Sequence, residues 1–423
     1  MTLDRIGWHN RGIELRLKGQ FDAALRAIDM ALMQRPIAPE TLTMRAHLLA
    51  DLGRFDDAVG AYREALEAGP QQIDTHETFA RLLPQIGRRT EALDSYRAAL
   101  AKSPETGALW VSAMGTAKAL GEPVQLLEWA QAAEARFGPD TMVTAFAALA
   151  LSSVGRDAEA RDLLVHAVAT EPDYSPAQMT LAHVLVKLGD YRGAEAAAGE
   201  AVRLAPEDQA AWALLTVVWR LLDDPREAWL ADYERMVMPF DLSGLDLPAL
   251  TALLNARHQT TQHPADQSLR GGSQTRGRLF DSADPKLVAL QVTIKREVEA
   301  RLGNLPDDAT HPFLARNTRA IQFVGSWSVR LRSQGFHISH MHPEGWLSSA
   351  LYIDLPPEVG LSDAGALAFG IPDAALNLDL GPRRIVRPKP GQLVVFPSYF
   401  WHGTIPFESD TDRLTVAFDA LPA

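Results

Sequence analysis

Three histidines crowd into the hexapeptide HISHMH as His337, His340 and His342. A fourth, His402, lies in FPSYFWHGTIPFE, just after the apolar run PGQLVVFP. In an extended chain residues i and i+2 face the same way, so His340 and His342 can turn toward one ion. A third imidazole arriving from a distant strand would complete a facial set, and imidazole suits iron, zinc or copper. The chain has no cysteine, which excludes disulfides, thiolate metal sites, iron–sulfur clusters and cysteine nucleophiles. Arg413 follows His402 by eleven residues, and Thr415 occupies the next same-face position. A lone strand histidine is usually structural; three converging ones with a spaced arginine read as a site.

The elements that must carry these residues are short and β-like. After Pro312 the runs AIQFVGSWSVRLR, LSSALYIDLP, GALAFGIPD, RIVRPKPGQLVVFPS and RLTVAFDAL alternate or are apolar, broken by Pro, Gly and Asp. They predict an antiparallel sandwich or small barrel. Gln322, Trp327 and Arg330 on the first run could face a pocket, but read as core tryptophan and surface arginine. Upstream, Leu287, Leu290, Ile294, Val298 and Leu302 recur at helical spacing and predict one amphipathic helix. HPADQSLRGGSQTRGRLF, residues 263–280, reads as an irregular loop.

The first half is periodic. Gly19, Gly53, Gly87, Gly121, Gly155 and Gly189 are spaced by 34 residues without a slip. Alanine follows five residues after five of them, at Ala24, Ala58, Ala92, Ala160 and Ala194, with Leu126 the exception. A second column runs through Ala31, Ala65, Ala99, Ala133, Ala167 and Ala201. Pro36, Pro70, Pro104, Pro172 and Pro206 close the repeats, with Gly138 in the fourth. Glycine permits a left-handed turn between helices, alanine permits close helix approach, and proline ends a helix. This pattern resembles the tetratricopeptide repeat in six copies over residues 5–208. Trp212, Leu215 and Trp219 start a seventh helix, with PREAWLADYERMV as its capping partner. A repeat array of this kind serves as a passive scaffold, a dimerisation arm or a groove for an extended peptide, and the repeats alone do not choose.

The stretch from His337 to the end resembles the double-stranded β-helix (jelly-roll) domain of iron(II)- and 2-oxoglutarate-dependent dioxygenases. More narrowly it is similar to the putative oxygenase family in which H-x-H-P precedes an L-S-x-x-x-Y strand. Gly391 to His402 matches that family's G-x-x-x-x-F-P-x-x-x-x-H, and Arg413 with Thr415 matches its R-x-S/T. The likeness extends over residues 263–421, through QSLRGGSQTR. It implies iron(II) held by His340, His342 and His402, with 2-oxoglutarate as cosubstrate and O2 as co-reactant. Arg413 would bind the distal carboxylate of 2-oxoglutarate, with Thr415 beside it. Tyr352 would donate to the same carboxylate or be a half-buried sheet tyrosine. His342 stands where most of the superfamily has a carboxylate. His342-Pro343-Glu344 is itself an H-x-E, so a His342/Glu344/His402 set is the competing arrangement, and His337 lies outside the ligand set in either.

Together these features predict an α-solenoid at 1–235 with its capping helix and an α+β oxygenase domain at 236–423. The expected activity is hydroxylation of a peptide or protein side chain held by the repeats. The alternatives are an oxygenase for a free small molecule with a homodimer formed through the repeats, and a non-catalytic scaffold with a degenerate oxygenase fold. The chain has 423 residues, 47% hydrophobic and 22% charged, with a formal charge of −12. That composition excludes whole-chain disorder and disfavours nucleic acid and anionic membrane as partners. MTLDRIGWHNRG lacks an apolar run behind a basic start, and no 18-residue window is apolar, so a cytoplasmic protein without a membrane span is expected.

Overall fold

In the computed structural model the described residues are 3–34, 38–258 and 268–423. Pro36 and residues 263–267 of the expected loop lie outside them. The described residues divide into two compact units, one reaching Glu122 and one formed by 123–258 with 268–423.

The first unit is made of helical hairpins. Arg5–Leu17 pairs with Phe21–Leu32, Pro39–Asp51 with Phe55–Ala68, and Ile73–Gln85 is followed by Asp94–Lys102 and Gly107–Ala119. The second unit opens with the helix Pro123–Phe137, followed by Thr141–Ser153 against Asp157–Thr170 and Ser175–Lys187 against Tyr191–Leu204, then Gln209–Leu221. All six spaced glycines have φ between 65° and 81°, the left-handed conformation that reverses the chain cheaply only without a Cβ. Both alanine columns are buried, no member more than 5% exposed. The repeats carry one device that their spacing did not disclose. Near the start of a hairpin's first helix, a side chain donates to the carbonyl of the proline closing the previous repeat. His76 bonds Pro70 at 2.9 Å, Trp110 Pro104 at 2.9 Å, Gln178 Pro172 at 3.2 Å and Trp212 Pro206 at 2.8 Å. Three residue types fill one role at these four positions, so identity-based spacing hides it.

PREAWLADYERMV does not form a single capping helix. It is split into Arg226–Leu230 and Tyr233–Met236, because Asp232 turns its carboxylate onto the Arg235 N–H and starts a new helix. The helix Pro285–Leu302 forms as expected, and all five of its periodic residues are buried.

The β-rich region is antiparallel throughout its pairings. Its strands are β1 (Met238–Asp241), β2 (Leu269–Gln274), β3 (Ile321–His337), β4 (Leu347–Asp354), β5 (Leu367–Phe369), β6 (Arg384–Val386), β7 (Gln392–Pro397), β8 (His402–Thr404) and β9 (Arg413–Pro422). One sheet has the order β1-β7-β4-β9-β3-β2 and the other β6-β5-β8. Two expectations need correction. Residues 269–274 are strand, not loop: β2 pairs with β3, and Thr275 continues the contact through its hydroxyl, which accepts from the Ser328 N–H at 2.9 Å. Tertiary pairing overrides the weak propensity of a Gly-rich segment. RIVRPKPGQLVVFPS is two strands in different sheets, since the Pro388–Pro390 stretch cannot donate a continuous ladder.

Within the second unit the last repeat helices and the β-rich region share one core, in which Leu214, Leu215 and Val218 join Leu351, Val394, Phe396 and Phe418. Polar contacts reinforce it. Arg220 donates to the carbonyls of Gly370 at 2.8 Å and Gly381 at 2.9 Å, and Arg383 pairs with Glu227 at 2.5 Å.

Candidate metal centre

The segment that leads into His402 is held from the helical side. The Tyr399 hydroxyl donates to the Leu230 carbonyl at 2.7 Å, and the Phe400 and Tyr233 rings lie 4.7 Å apart. The buried Trp401 donates its indole N–H to the Ala213 carbonyl at 2.8 Å. Aromatic anchors on three successive residues leave His402 little freedom. On the other side, β3 ends at His337, so HISHMH is not one regular strand. His340 instead forms an isolated antiparallel bridge with His402, each N–H reaching the other's carbonyl at 2.9 Å, and the His342 N–H reaches the Ser398 carbonyl at 2.9 Å. This bridge is possible because Gly403 follows: a Cβ there would lie 2.9 Å from the His337 carbonyl oxygen.

His340, His342 and His402 come together as a group whose ligand nitrogens all lie within 4.8 Å of one another. Each ring spends its Nδ1–H on an oxygen: His340 on the Ile338 carbonyl at 2.9 Å, His402 on the Phe400 carbonyl at 2.9 Å and His342 on Asp419 Oδ1 at 2.7 Å. That leaves the Nε2 lone pairs facing inward, and the Nε2 atoms of His340 and His342 are 3.1 Å apart. Burial, reinforced by the neighbouring imidazoles, pushes the pKa of His402 well below its ordinary value and that of His340 down to about 3. Ser268 Oγ also lies 3.1 Å from His340 Nε2, and a cation placed between the two facing Nε2 atoms would be bound by both. Two nitrogens about 2.1 Å from one ion and at right angles would be about 3.0 Å apart, so the donor set fits a metal ion. His337 stacks on His340, ring centroids 5.7 Å apart, and its Nδ1 lies 2.8 Å from Ser268 Oγ. Glu344 is exposed and is not among the converging groups.

Arg413 and Tyr352 meet across the paired strands β9 and β4. Arg413 is 2% exposed and Tyr352 fully buried, with the guanidinium carbon 5.0 Å from the ring centroid. Neither the Arg413 Nε nor the Tyr352 hydroxyl has a hydrogen-bond partner. A buried cation beside an unsatisfied hydroxyl is costly by itself and fits an incoming carboxylate. Burial lowers the pKa of Arg413 and raises that of Tyr352. Thr415, cross-strand from Tyr352, has its hydroxyl 3.5 Å from the Val329 carbonyl.

Two residues were missed or misread in sequence. Trp327, taken for a core residue, stacks on His342 with centroids 5.9 Å apart. Its position on β3 opposite Ala417 of β9 faces it to the histidines. Asp419, bonded to His342, was not singled out at all. The signal was available, since Arg413, Thr415, Ala417 and Asp419 are successive same-face positions of one strand.

This is a three-imidazole centre with a buried arginine on an antiparallel β scaffold. Residues 325–419 match the family described as "Putative 2OG-Fe(II) oxygenase". Residues 9–73 and 154–218 match families described as "Tetratricopeptide repeat", and 77–185 one described as "Tetratrico peptide repeat". The chain thus joins tetratricopeptide repeats to a C-terminal domain of that oxygenase family. Among solved structures, a tetratricopeptide repeat protein from Parabacteroides merdae is similar at 15% identity over 54% of this chain and 91% of the other, TM-score 0.41. The C-terminal part of a repeat protein from Cytophaga hutchinsonii is similar at 13% identity over 53% and 87%, TM-score 0.36. Pseudomonas aeruginosa pilF is similar at 16% identity over 45% and 87%, TM-score 0.33. No curated protein matches. No helix among the described residues is long and apolar enough to cross a membrane.

Proposed function

We propose that this protein is an iron(II)- and 2-oxoglutarate-dependent dioxygenase of the cytoplasm that hydroxylates a side chain of a peptide or protein held by its repeats. The observation that carries this reading is the pairing of three inward Nε2 atoms with a buried, unsatisfied Arg413–Tyr352 pair. His340, His342 and His402 hold the iron. Arg413 grips the far carboxylate of 2-oxoglutarate with its fork, Tyr352 donates its hydroxyl to the same carboxylate, and Thr415 borders them. The region 236–423 is then the oxygenase domain, and its two antiparallel sheets are those of a double-stranded β-helix. Iron with 2-oxoglutarate and O2 supplies the oxidising power to hydroxylate an unactivated C–H bond. The chain's own part is orientation and exclusion of water. Phe396 packs edge-on against His402 at 4.6 Å and Trp327 covers His342, so the centre has apolar walls. Binding energy from the repeats, remote from the centre, positions one substrate residue there.

Purified protein should bind one Fe(II) per chain and convert 2-oxoglutarate slowly to succinate without substrate, and His402→Ala should lose both. Full iron occupancy in His402→Ala would overturn the assignment. Mass spectrometry of co-purifying proteins should find a one-oxygen gain that depends on 2-oxoglutarate.

A further inference from the structure

Asp419 is a carboxylate in an unexpected place. Its side chain is 13% exposed, and among the described residues its only ion-pair partner is His342 Nδ1 at 2.7 Å. The same Oδ1 accepts from the Ser348 hydroxyl at 2.7 Å, and Ser348 Oγ lies 2.8 Å from Ser398 Oγ. Its backbone is fixed between Gly325 of β3 and Ser348 of β4. A buried carboxylate with no lysine or arginine is a poor choice for stability. Asparagine has the same shape and its Oδ1 could accept both hydrogen bonds at a smaller desolvation cost. The fold therefore does not account for the charge, but the centre does. Three neutral imidazoles leave a divalent cation with its full charge, whereas a ligand set containing a carboxylate offsets part of it.

We propose that Asp419 is a positioning residue that supplies, one hydrogen bond away, the negative charge that the three-histidine centre lacks. It holds the Nδ1–H tautomer of His342 and draws on that proton, which makes Nε2 a stronger donor to the ion. The face of β9 then carries its two charges at opposite ends, Arg413 for the carboxylate and Asp419 for the metal side. The proposal rests on the iron-centre reading above.

The test is the isosteric Asp419→Asn protein, with metal affinity and stability of the metal-free protein measured separately. Fe(II) affinity is read anaerobically by competition with a chromogenic chelator, and Co(II) serves as a second probe through its absorption spectrum. D419N should bind both ions tenfold to a hundredfold more weakly, while its metal-free melting temperature stays equal or rises. Ser348→Ala keeps the charge and should weaken binding much less. Asp419→Glu keeps the charge and should bind more tightly than D419N; if D419N does not fold, the likewise uncharged Asp419→Ser takes its place and should bind both ions tenfold to a hundredfold more weakly than wild type. D419N affinity equal to wild type would overturn the proposal, as would an S348A loss equal to that of D419N, which marks a purely structural network. Wild-type protein that binds neither ion would instead overturn the iron reading itself.

Discussion

Arg413 allows the sharpest quantitative test, because in the free protein it is a buried cation with an unused donor. Arg413→Lys keeps the charge, but a single ammonium cannot reproduce two parallel bonds from a planar fork. A hydrogen bond to a charged group contributes about 1.5–3 kcal/mol, so the loss of one should weaken 2-oxoglutarate binding roughly tenfold to a hundredfold. The structure adds a second expectation of opposite sign. Arg413 is 2% exposed and burial lowers its pKa, so without ligand its charge is a liability that Arg413→Met removes. The Arg413→Met protein should therefore melt at or above the wild-type temperature without ligand and gain no stability from 2-oxoglutarate. At one hundred times Kd, wild type should gain about 2.7 kcal/mol, and at the same concentration a hundredfold weaker Arg413→Lys should gain about 0.4 kcal/mol. Differential scanning fluorimetry with iron and graded 2-oxoglutarate reads both quantities. An unshifted cosubstrate titration in Arg413→Lys would refute the reasoning, and so would a large loss of ligand-free stability in Arg413→Met.

Three further expectations concern the ligand set, the anchoring of His402 and pH. Glu344 is exposed, so Glu344→Gln should keep its iron while His340→Ala loses it, and iron-free Glu344→Gln beside iron-loaded His340→Ala would favour the competing His342/Glu344/His402 set. Trp401→Phe deletes the bond to the Ala213 carbonyl and should lower denaturant stability by about 1–2 kcal/mol; a drop in iron affinity with it would show that the repeat helix positions His402. His258, enclosed by the Ser273 and Ser328 hydroxyls, has a pKa lowered to about 4 by burial, then by Arg330. The unfolded chain takes up that proton near pH 6.5 and the folded one only near 4, so its contribution is intact above pH 6.5 and is lost as pH falls to about 4, at most about 3 kcal/mol. Unfolding of His258→Gln beside wild type from pH 7 to 4 should show a shallower decline; parallel curves would sink this attribution.

The repeats were legible in the sequence because their determinants are local. A left-handed turn admits glycine, a close helix contact admits alanine, and both recur at fixed spacing, so order in the chain mirrors order in space. The helix Pro285–Leu302 was legible for the same reason, since five apolar residues on one face need only a surface to cover them. The types and spacing of His340, His342 and His402 were enough to nominate a metal, while the carboxylate at Arg413 came from the family resemblance. What the chain could not disclose is set by contacts between distant segments. Residues 269–274 look like loop until β3 offers a ladder, and HISHMH looks like strand until His340 leaves β3 to bridge His402. The tautomers of the three rings depend on which oxygens face each Nδ1, two of them backbone carbonyls that no motif records. The third is Asp419, which lies 77 residues from His342 in the chain and 2.7 Å away in the fold. Sequence determines which groups are present, but their charge balance and tautomers are decided by distance, and only tertiary packing sets distances between strands.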